Sequence, residues 1–200
     1  MKKYIFILFG GAIALISLPL SMLISQSYTG SYGISVSHRY ITDFEWADYQ
    51  GNLHNFSDWN NKATFLFVGY LNCKLICHKR IQEMLSIKKQ LNANNINFLF
   101  VTIDPKNDTP EVRKLLIDSR ADNFYSANLK NTDLNFLQGS LQENVISDND
   151  EISHRGNIYL ITGGKKIEKI YTQKNLNTEL VIKDIPEKYF MGDDMKITQI

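Results

Sequence analysis

Two cysteines are the residues of this sequence best suited to chemistry. Cys73 and Cys77 are its only cysteines and lie four positions apart. Thiolates bind soft metal ions and attack disulfides, so a close pair can hold an ion or exchange disulfides. A disulfide across so short a loop restricts the unfolded chain only slightly, and two cysteines are too few for a disulfide scaffold. The pair therefore indicates a local metal or redox role in preference to a structural disulfide.

The cysteines lie where a strand is predicted to give way to a helix. Ala63 to Tyr70 is a continuous, mostly apolar run, typical of a strand buried on both faces. Leu75 to Leu91 carries apolar residues at helical spacing. A helix that begins near Cys73 brings both sulfurs to one face, with β-carbons about 5 to 6 Å apart. Its N-terminal dipole is expected to lower the thiol pKa and favour the metal-binding thiolate.

A histidine could supply a third ligand, because two thiolates leave room for an imidazole. His154 precedes the predicted strand Asn157 to Thr162, which could enter the sheet beside the cysteine helix. His78 adjoins Cys77, but helical rotation of about 100° per residue turns it away from the sulfurs. By its position, His154 is the first candidate for the third ligand. For any single histidine, however, the simpler interpretation is a side chain that is solvated or hydrogen-bonded within the protein. The four histidines are His38, His54, His78 and His154.

The elements around the cysteines predict an α/β fold with a mixed central sheet flanked by helices. Strands alternate with helices, as parallel crossovers require, and the last two strands form an antiparallel hairpin. The further predicted elements are a hairpin of Phe44 to Asp48 with Leu53 to Phe56, a strand from Ile96 to Ile103, a helix from Asp108-Thr109-Pro110 to Ser119, a helix from Thr132 to Leu141, a hairpin of Asn157 to Thr162 with Lys166 to Tyr171, and a helix from Thr178 to Lys188 that Pro186 could end early.

The N-terminal segment predicts a membrane anchor. Lys2 and Lys3 precede the uncharged, apolar stretch Tyr4 to Ile24, and about 20 such residues span a bilayer as a helix. The positive flank favours a cytoplasmic N-terminus. The alternative is a cleaved signal peptide with a weak site at Ser25-Gln26-Ser27. Both interpretations export the domain, so we expect an inner-membrane protein whose globular part lies in the periplasm or an equivalent compartment.

Composition is that of one ordinary globular domain outside the anchor. The chain is 44% hydrophobic and 22% charged, and its formal net charge of +1 gives no electrostatic argument for nucleic acid. We predict a membrane anchor over residues 1–24, a tether rich in serine, glycine and tyrosine over 25–39, and the globular domain over 40–200.

Several short motifs follow one another in this sequence: Cys73-x-x-x-Cys77, Val101-Thr102-Ile103-Asp104-Pro105, Asp108-Thr109-Pro110, and His154 before Ile158-Tyr159-Leu160. Their order and spacing resemble the Sco/SenC family. Family members have a thioredoxin-like fold anchored by one N-terminal helix, and they deliver copper to the dinuclear copper site of cytochrome c oxidase or maintain its thiols. The resemblance implies that Cys73, Cys77 and His154 bind copper, and that the partner is the copper-receiving subunit of the oxidase.

The chain departs from the family pattern at two places. Lys74 and His78 stand where the family usually has a proline after each cysteine. These two residues are expected to change the rigidity and charge of the cysteine loop and to leave the ligands intact. Both could equally be solvated side chains.

A thiol-disulfide oxidoreductase that uses Cys73 and Cys77 is the alternative function. That chemistry usually has the spacing C-x-x-C, and no proline stands just before the Asn157 strand, where thioredoxins place a cis-proline. A peroxidase of the peroxiredoxin type is weaker still, because its proline and threonine motif is absent before Cys73. The sequence therefore predicts a copper-binding metallochaperone, with disulfide exchange as the alternative.

Overall fold

The protein is described by a computed structural model that covers residues 31–73, 76–91, 94–148 and 151–190. Eight strands form one mixed sheet, with helices on both of its faces, as predicted. The strands of this sheet are β1 Ile34–Ser35, β2 Glu45–Ala47, β3 Leu53–Asn55, β4 Ala63–Gly69, β5 Ile96–Thr102, β6 Phe124–Leu129, β9 Ile158–Thr162 and β10 Lys166–Tyr171. Strands β7 Ile146–Asp148 and β8 Glu151–Ser153 pair separately.

Four helices accompany the strands. The longest, α1, carries Cys77, and α2 continues directly into a π-helical turn over Lys114–Asp118. The helices are α1 Ile76–Gln90, α2 Pro110–Arg113, α3 Asn131–Leu141 and α4 Thr178–Lys183, with short 3-10 turns at Phe56–Trp59 and Glu187–Tyr189. The last helix ends before Pro186, because proline cannot continue the backbone hydrogen bonding of a helix.

The sheet has the order β1-β10-β9-β4-β5-β6-β2-β3. Strands β4, β5 and β6 are parallel, and the other neighbours are antiparallel, so β4 has a parallel and an antiparallel partner. All seven residues of β4 and all seven of β5 are buried, which explains their continuous apolar sequences. Phe65 and Phe67 point to the layer that contains α1, while Leu66 and Val68 point to the layer that contains α3.

Strand β6 is the central element that the sequence pattern did not predict. Its run Phe124–Leu129 includes Ser126, which is fully buried. Asp118 accepts hydrogen bonds from the Ser126 amide at 2.9 Å and from its hydroxyl at 2.6 Å. Arg113 donates to the Ser126 carbonyl at 3.1 Å. These internal partners make a polar residue tolerable in the sheet, although it breaks the apolar pattern of the strand.

The first strand lies inside the range 25–39 that was predicted as a tether. Ile34 pairs with Ile170 of β10, and the Gly33 amide donates to Asp184 at 2.7 Å. The sheet therefore includes part of that range, because two residues of β1 suffice to cover the edge of β10. The predicted anchor over residues 1–24 lies outside the described residues. In the described part of the chain, every helix is too short or too polar to cross a bilayer.

Candidate metal centre

The structure brings together the three residues that the sequence singled out. One sulfur of each cysteine and one ring nitrogen of His154 all lie within 4.8 Å of one another. The contact between Cys77 Sγ and His154 Nε2 measures 3.1 Å. Both cysteines are present as thiols. Two sulfurs and an imidazole at this separation can converge on one ion.

The cysteines lie between the end of β4 and the first described turn of α1. The backbone amide of Cys73 donates to the Tyr70 carbonyl at 3.4 Å, and the described part of α1 begins at Ile76. Cys77 thus lies in the first described turn of the helix. The expected start of the helix near Cys73 falls beside residues 74 and 75, which lie outside the described residues. Lys74, one of the two departures from the family pattern, lies outside the described residues.

Burial controls the acidity of Cys77, whose side chain is fully inaccessible to solvent. Desolvation raises the pKa of the Cys77 thiol, the Cys73 thiol and the Asp108 carboxylate raise it further, and only the backbone of Tyr70 opposes them. The expected lowering of the thiol pKa is therefore wrong for Cys77, because desolvation raises it. Without an ion, this cysteine is a protonated thiol at neutral pH.

The imidazole of His154 is held among aromatic rings just after β8. The ring of Phe67 lies 6.0 Å from it and that of Tyr70 lies edge-on at 5.9 Å, measured between centroids. Burial lowers the pKa of His154, so the neutral form prevails at pH 7. Neutral imidazole is the form that binds metals. Among the described residues, the buried Nδ1 atom has no hydrogen-bond partner.

A buried carboxylate, Asp108, supports the turn that carries the cysteines. It accepts the Leu71 amide at 3.0 and 3.2 Å and the Thr102 hydroxyl at 2.6 Å. Burial raises the pKa of Asp108, and these hydrogen bonds oppose the rise. The N-cap of α2 is Thr109, whose hydroxyl accepts from Val112. Asp108 thus fixes the end of β4 against the end of β5, and it lies outside the cluster of three ligands.

The other three histidines lie outside the cluster. His78 is exposed, as the helical rotation predicted. His54 stacks on Trp46 with a centroid separation of 4.5 Å and bonds Asp48 at 3.1 Å. His38 is exposed and has a positive φ of 54°.

Sequence reasoning missed Gly69, the last residue of β4. A β-carbon there would lie 2.9 Å from the Phe67 ring and 3.1 Å from Cys77 Sγ. Only glycine allows the buried sulfur to approach the strand so closely. A glycine that ends a buried strand just before a cysteine motif is the signal that could have revealed it.

The donor set fits a soft ion. Thiolate and imidazole suit copper(I) or zinc, whereas calcium and magnesium require oxygen ligands. The burial of both sulfurs also favours a compact ion that sheds its water. The arrangement can therefore hold a metal ion, or it can carry a pair of thiols that exchange with a disulfide.

Comparison with known proteins gives a consistent result. The family model described as SCO1/SenC matches residues 34–189. The SCO2-like protein of Rickettsia felis is 36% identical over 74 residues, which cover 36% of this chain and 36% of that protein. This chain thus matches about a third of the length of that relative. The SCO2-like protein of Rickettsia prowazekii is 28% identical over 138 residues, 64% of this chain and 67% of that protein.

Among solved structures, this protein is similar to the crystal structure of Arabidopsis thaliana ScoI with copper bound, with a TM-score of 0.63 and 18% sequence identity. The match covers 72% of this chain and 97% of the ScoI chain. At this identity the likeness concerns the fold alone, and it agrees with the predicted thioredoxin-like architecture. The family model spans most of the chain, from β1 to the final 3-10 turn, and includes all three clustered residues. The chain therefore belongs to the SCO1/SenC family.

Proposed function

We propose that this protein is a copper-binding metallochaperone that assists assembly of the dinuclear copper site of cytochrome c oxidase. The observation that carries the proposal is the convergence of Cys73, Cys77 and His154 within 4.8 Å. Its family membership and the copper-bound ScoI fold support copper as the ion. The copper-receiving subunit of the oxidase is the proposed partner.

Copper is the cargo in this proposal, and each ligand has a separate role. Cys73 and Cys77 supply thiolate sulfurs, which favour copper(I). Because burial raises the pKa of Cys77, the incoming ion must displace its proton, so binding releases acid. His154 is already neutral at pH 7 and needs to lose no proton.

We also propose that the domain is exported and tethered to the inner membrane. The apolar, uncharged residues 4–24 after two lysines support an anchor with a cytoplasmic N-terminus. The copper centre then faces the periplasm or an equivalent compartment. This position gives the domain access to exported segments of the oxidase.

Copper(I) titration of the full chain tests the function. Wild type, His154→Ala and Cys73→Ser should be compared for affinity, by competition with a chromophoric chelator, and for reduction of a disulfide substrate. We expect one copper ion per wild-type chain, a large loss of affinity in both variants and negligible reductase activity. His78→Ala is the matched control, because that histidine is exposed and outside the cluster.

Disulfide exchange by the same cysteines is the second candidate, supported by the presence of two neighbouring thiols. Substantial reductase activity that survives His154→Ala, together with unchanged copper affinity in that variant, would favour this candidate and contradict the metallochaperone. The raised pKa of Cys77 argues against it, because only the thiolate attacks a disulfide.

A further inference from the structure

The orientation of His154 is not explained by its own side-chain hydrogen bonds. A metal-binding histidine almost always donates its second ring nitrogen to a carboxylate, carbonyl or water, which fixes the ring. Here Nε2 faces Cys77 at 3.1 Å, and Nδ1 is buried without a partner among the described residues. Apart from its packing against Phe67 and Tyr70, the position of the imidazole therefore depends on how the backbone around it is held.

Arg80 holds that backbone from helix α1. Its Nε donates to the Gly156 carbonyl at 2.6 Å, two residues beyond His154. Its Nη2 donates to the Gln173 carbonyl at 2.9 Å, and its Nη1 bonds Glu83 at 2.7 Å. Only 2% of the side chain is exposed. A guanidinium so buried, with every nitrogen engaged, forms a rigid link between α1 and the chain on either side of β9 and β10.

The same turn of α1 makes a second, steric contact with this backbone. Gly156 has a positive φ of 68°, and a β-carbon on it would lie 2.8 Å from Ile76. The chain after His154 therefore rests directly on Ile76, the first described residue of α1. Ile76 and Arg80 flank Cys77 on α1, so one helix carries a sulfur ligand and also holds the segment that carries the imidazole.

We infer that Arg80 is a positioning residue for the metal centre, which fixes the His154 imidazole opposite Cys77 through the Gly156 carbonyl. This inference rests on the proposed role of His154 as a ligand. Two further bonds hold the segment from other elements: the Tyr70 hydroxyl donates to the Ile152 carbonyl at 3.2 Å, and the Arg155 amide donates to Glu143 at 3.2 Å. Loss of Arg80 should therefore misplace the imidazole without detaching the segment.

A His154 held in place through Arg80 differs from a histidine that a mobile loop brings to the ion. An imidazole already held beside the sulfur binds an ion without first being ordered, and this preorganisation raises affinity. Variation of residues that support a metal ligand typically costs about 10-fold to 100-fold in affinity. We expect a loss in this range when the guanidinium is removed.

Lys79 provides a matched control on the same helix. Its ammonium also contacts the chain after β10, and both of its hydrogen-bond partners there, the Lys174 carbonyl and the Asn175 side chain, lie outside residues 152–156. Lys79→Met thus removes a basic side chain that joins α1 to the segment after β10. Arg80 contacts the same segment at Gln173. An effect of Arg80→Met that exceeds that of Lys79→Met is due to the contact with Gly156.

A double-mutant cycle on the full chain tests the inference, with copper(I) affinity measured for wild type, Arg80→Met, His154→Ala and the double variant. If Arg80 acts through His154, Arg80→Met lowers affinity by about 10-fold or more alone and has little further effect when His154 is already alanine. Equal losses in both backgrounds, or no loss in the first, would overturn the inference. If His154→Ala alone leaves affinity unchanged, the proposed function fails instead.

If Arg80→Met folds poorly, Arg80→Lys still tests the inference. Lysine retains the charge, but its single ammonium cannot bond Gly156 and Gln173 in the planar geometry of a guanidinium. In the copper-free protein we expect the nitrogen resonances of the His154 ring to shift or broaden in Arg80→Lys and to be unchanged in Lys79→Met. Identical ring spectra in wild type and Arg80→Lys would contradict a positioning role.

Discussion

Gly69 is a residue at which the backbone of the sheet and the sulfur of Cys77 lie close together. A methyl group at this position would lie 2.9 Å from the Phe67 ring and 3.1 Å from Cys77 Sγ. Gly69→Ala should therefore destabilise the protein by about 1 to 3 kcal/mol, as other overpacked core substitutions do. It should also weaken copper binding, because the sulfur must move. Urea unfolding and copper competition measure the two effects.

Gly139→Ala is the control for this substitution. Gly139 lies inside helix α3, and a β-carbon there has no atom within 4 Å. Alanine is preferred over glycine in a helix by about 1 kcal/mol, so this variant should be as stable as wild type or more stable. If Gly69→Ala behaves like Gly139→Ala, the contact between the strand and the sulfur does not constrain the site.

At the scale of single residues, type, spacing and the family resemblance were sufficient to find the three clustered residues but not their protonation state. The isolated pair Cys73 and Cys77 could be identified from the sequence, and the family pattern added His154. The pKa of Cys77 could not be predicted, because it depends on side chains that other elements pack around the sulfur. Arg80 resembles any other basic residue of an amphipathic helix until its carbonyl partners are known.

The hairpin of β2 and β3 is stabilised by a single carboxylate. Asp48 accepts hydrogen bonds from the amides of Gln50 and Asn52 and from the His54 ring. Partial burial raises the pKa of Asp48, but the bonds from His54, Asn52 and Gln50 outweigh it and hold the pKa below its ordinary value. The stabilisation is thus complete above the ordinary pKa of aspartate and is lost as the pH falls through the lower pKa of the folded protein.

Asp48→Asn should accordingly lower the free energy of unfolding by about 1.5 to 3 kcal/mol at pH 7, the range for hydrogen bonds to a charged group. The difference from wild type should shrink at pH 3 and below, where the wild-type carboxylate is itself being protonated. Urea unfolding at both pH values measures this. Asp122→Asn, at an exposed position, serves as the control. A loss of the same size at both pH values would show that the charge of Asp48 is unimportant.

Helices and strands with a regular pattern of buried apolar residues could be predicted from the sequence. Strands that place polar residues in the sheet could not. Strands β4 and β5 are buried on both faces, and α1 has one buried stripe, so their patterns are regular. Strand β6 contains the buried Ser126, whose presence in the sheet depends on Asp118 and Arg113 in the preceding helical segment. The pair β7 and β8 lies in a polar segment that has no apolar alternation, so the sequence pattern predicted no strand there.

For the whole molecule, the predicted anchor makes a test of location possible. Residues 4–24 are apolar and uncharged, long enough for one helical span. After expression in a Gram-negative bacterium, we expect the full-length chain to remain with the membrane through a high-salt and alkaline wash, with Cys73 and Cys77 accessible only from the periplasmic side. Deletion of residues 1–24 should leave the chain in the cytoplasm.

Mass measurement of the exported protein distinguishes an anchor from a signal peptide. An uncleaved N-terminus supports the anchor. A soluble periplasmic chain that begins near Ser27 would contradict it and support cleavage at the weak site instead.

The class of the fold followed from the alternation of strands and helices, but the order of the strands did not. The final hairpin joins the sheet beside β4, which brings His154 to the cysteine turn. That placement depends on a contact between segments about 80 residues apart, such as Cys77 and His154. Hydrophobic periodicity describes local environment and carries no information about which strands become neighbours.

The unequal exposure of the three clustered side chains has a kinetic consequence for the proposed copper centre. Cys77 is fully buried and Cys73 is 6% exposed, whereas His154 is half-buried. If these residues hold an ion, the imidazole is the group that an acceptor reaches most readily. An acceptor protein that displaced the imidazole first would gain the ion by stepwise ligand exchange. A metallochaperone of this kind would favour transfer on contact over leakage into the surrounding solution.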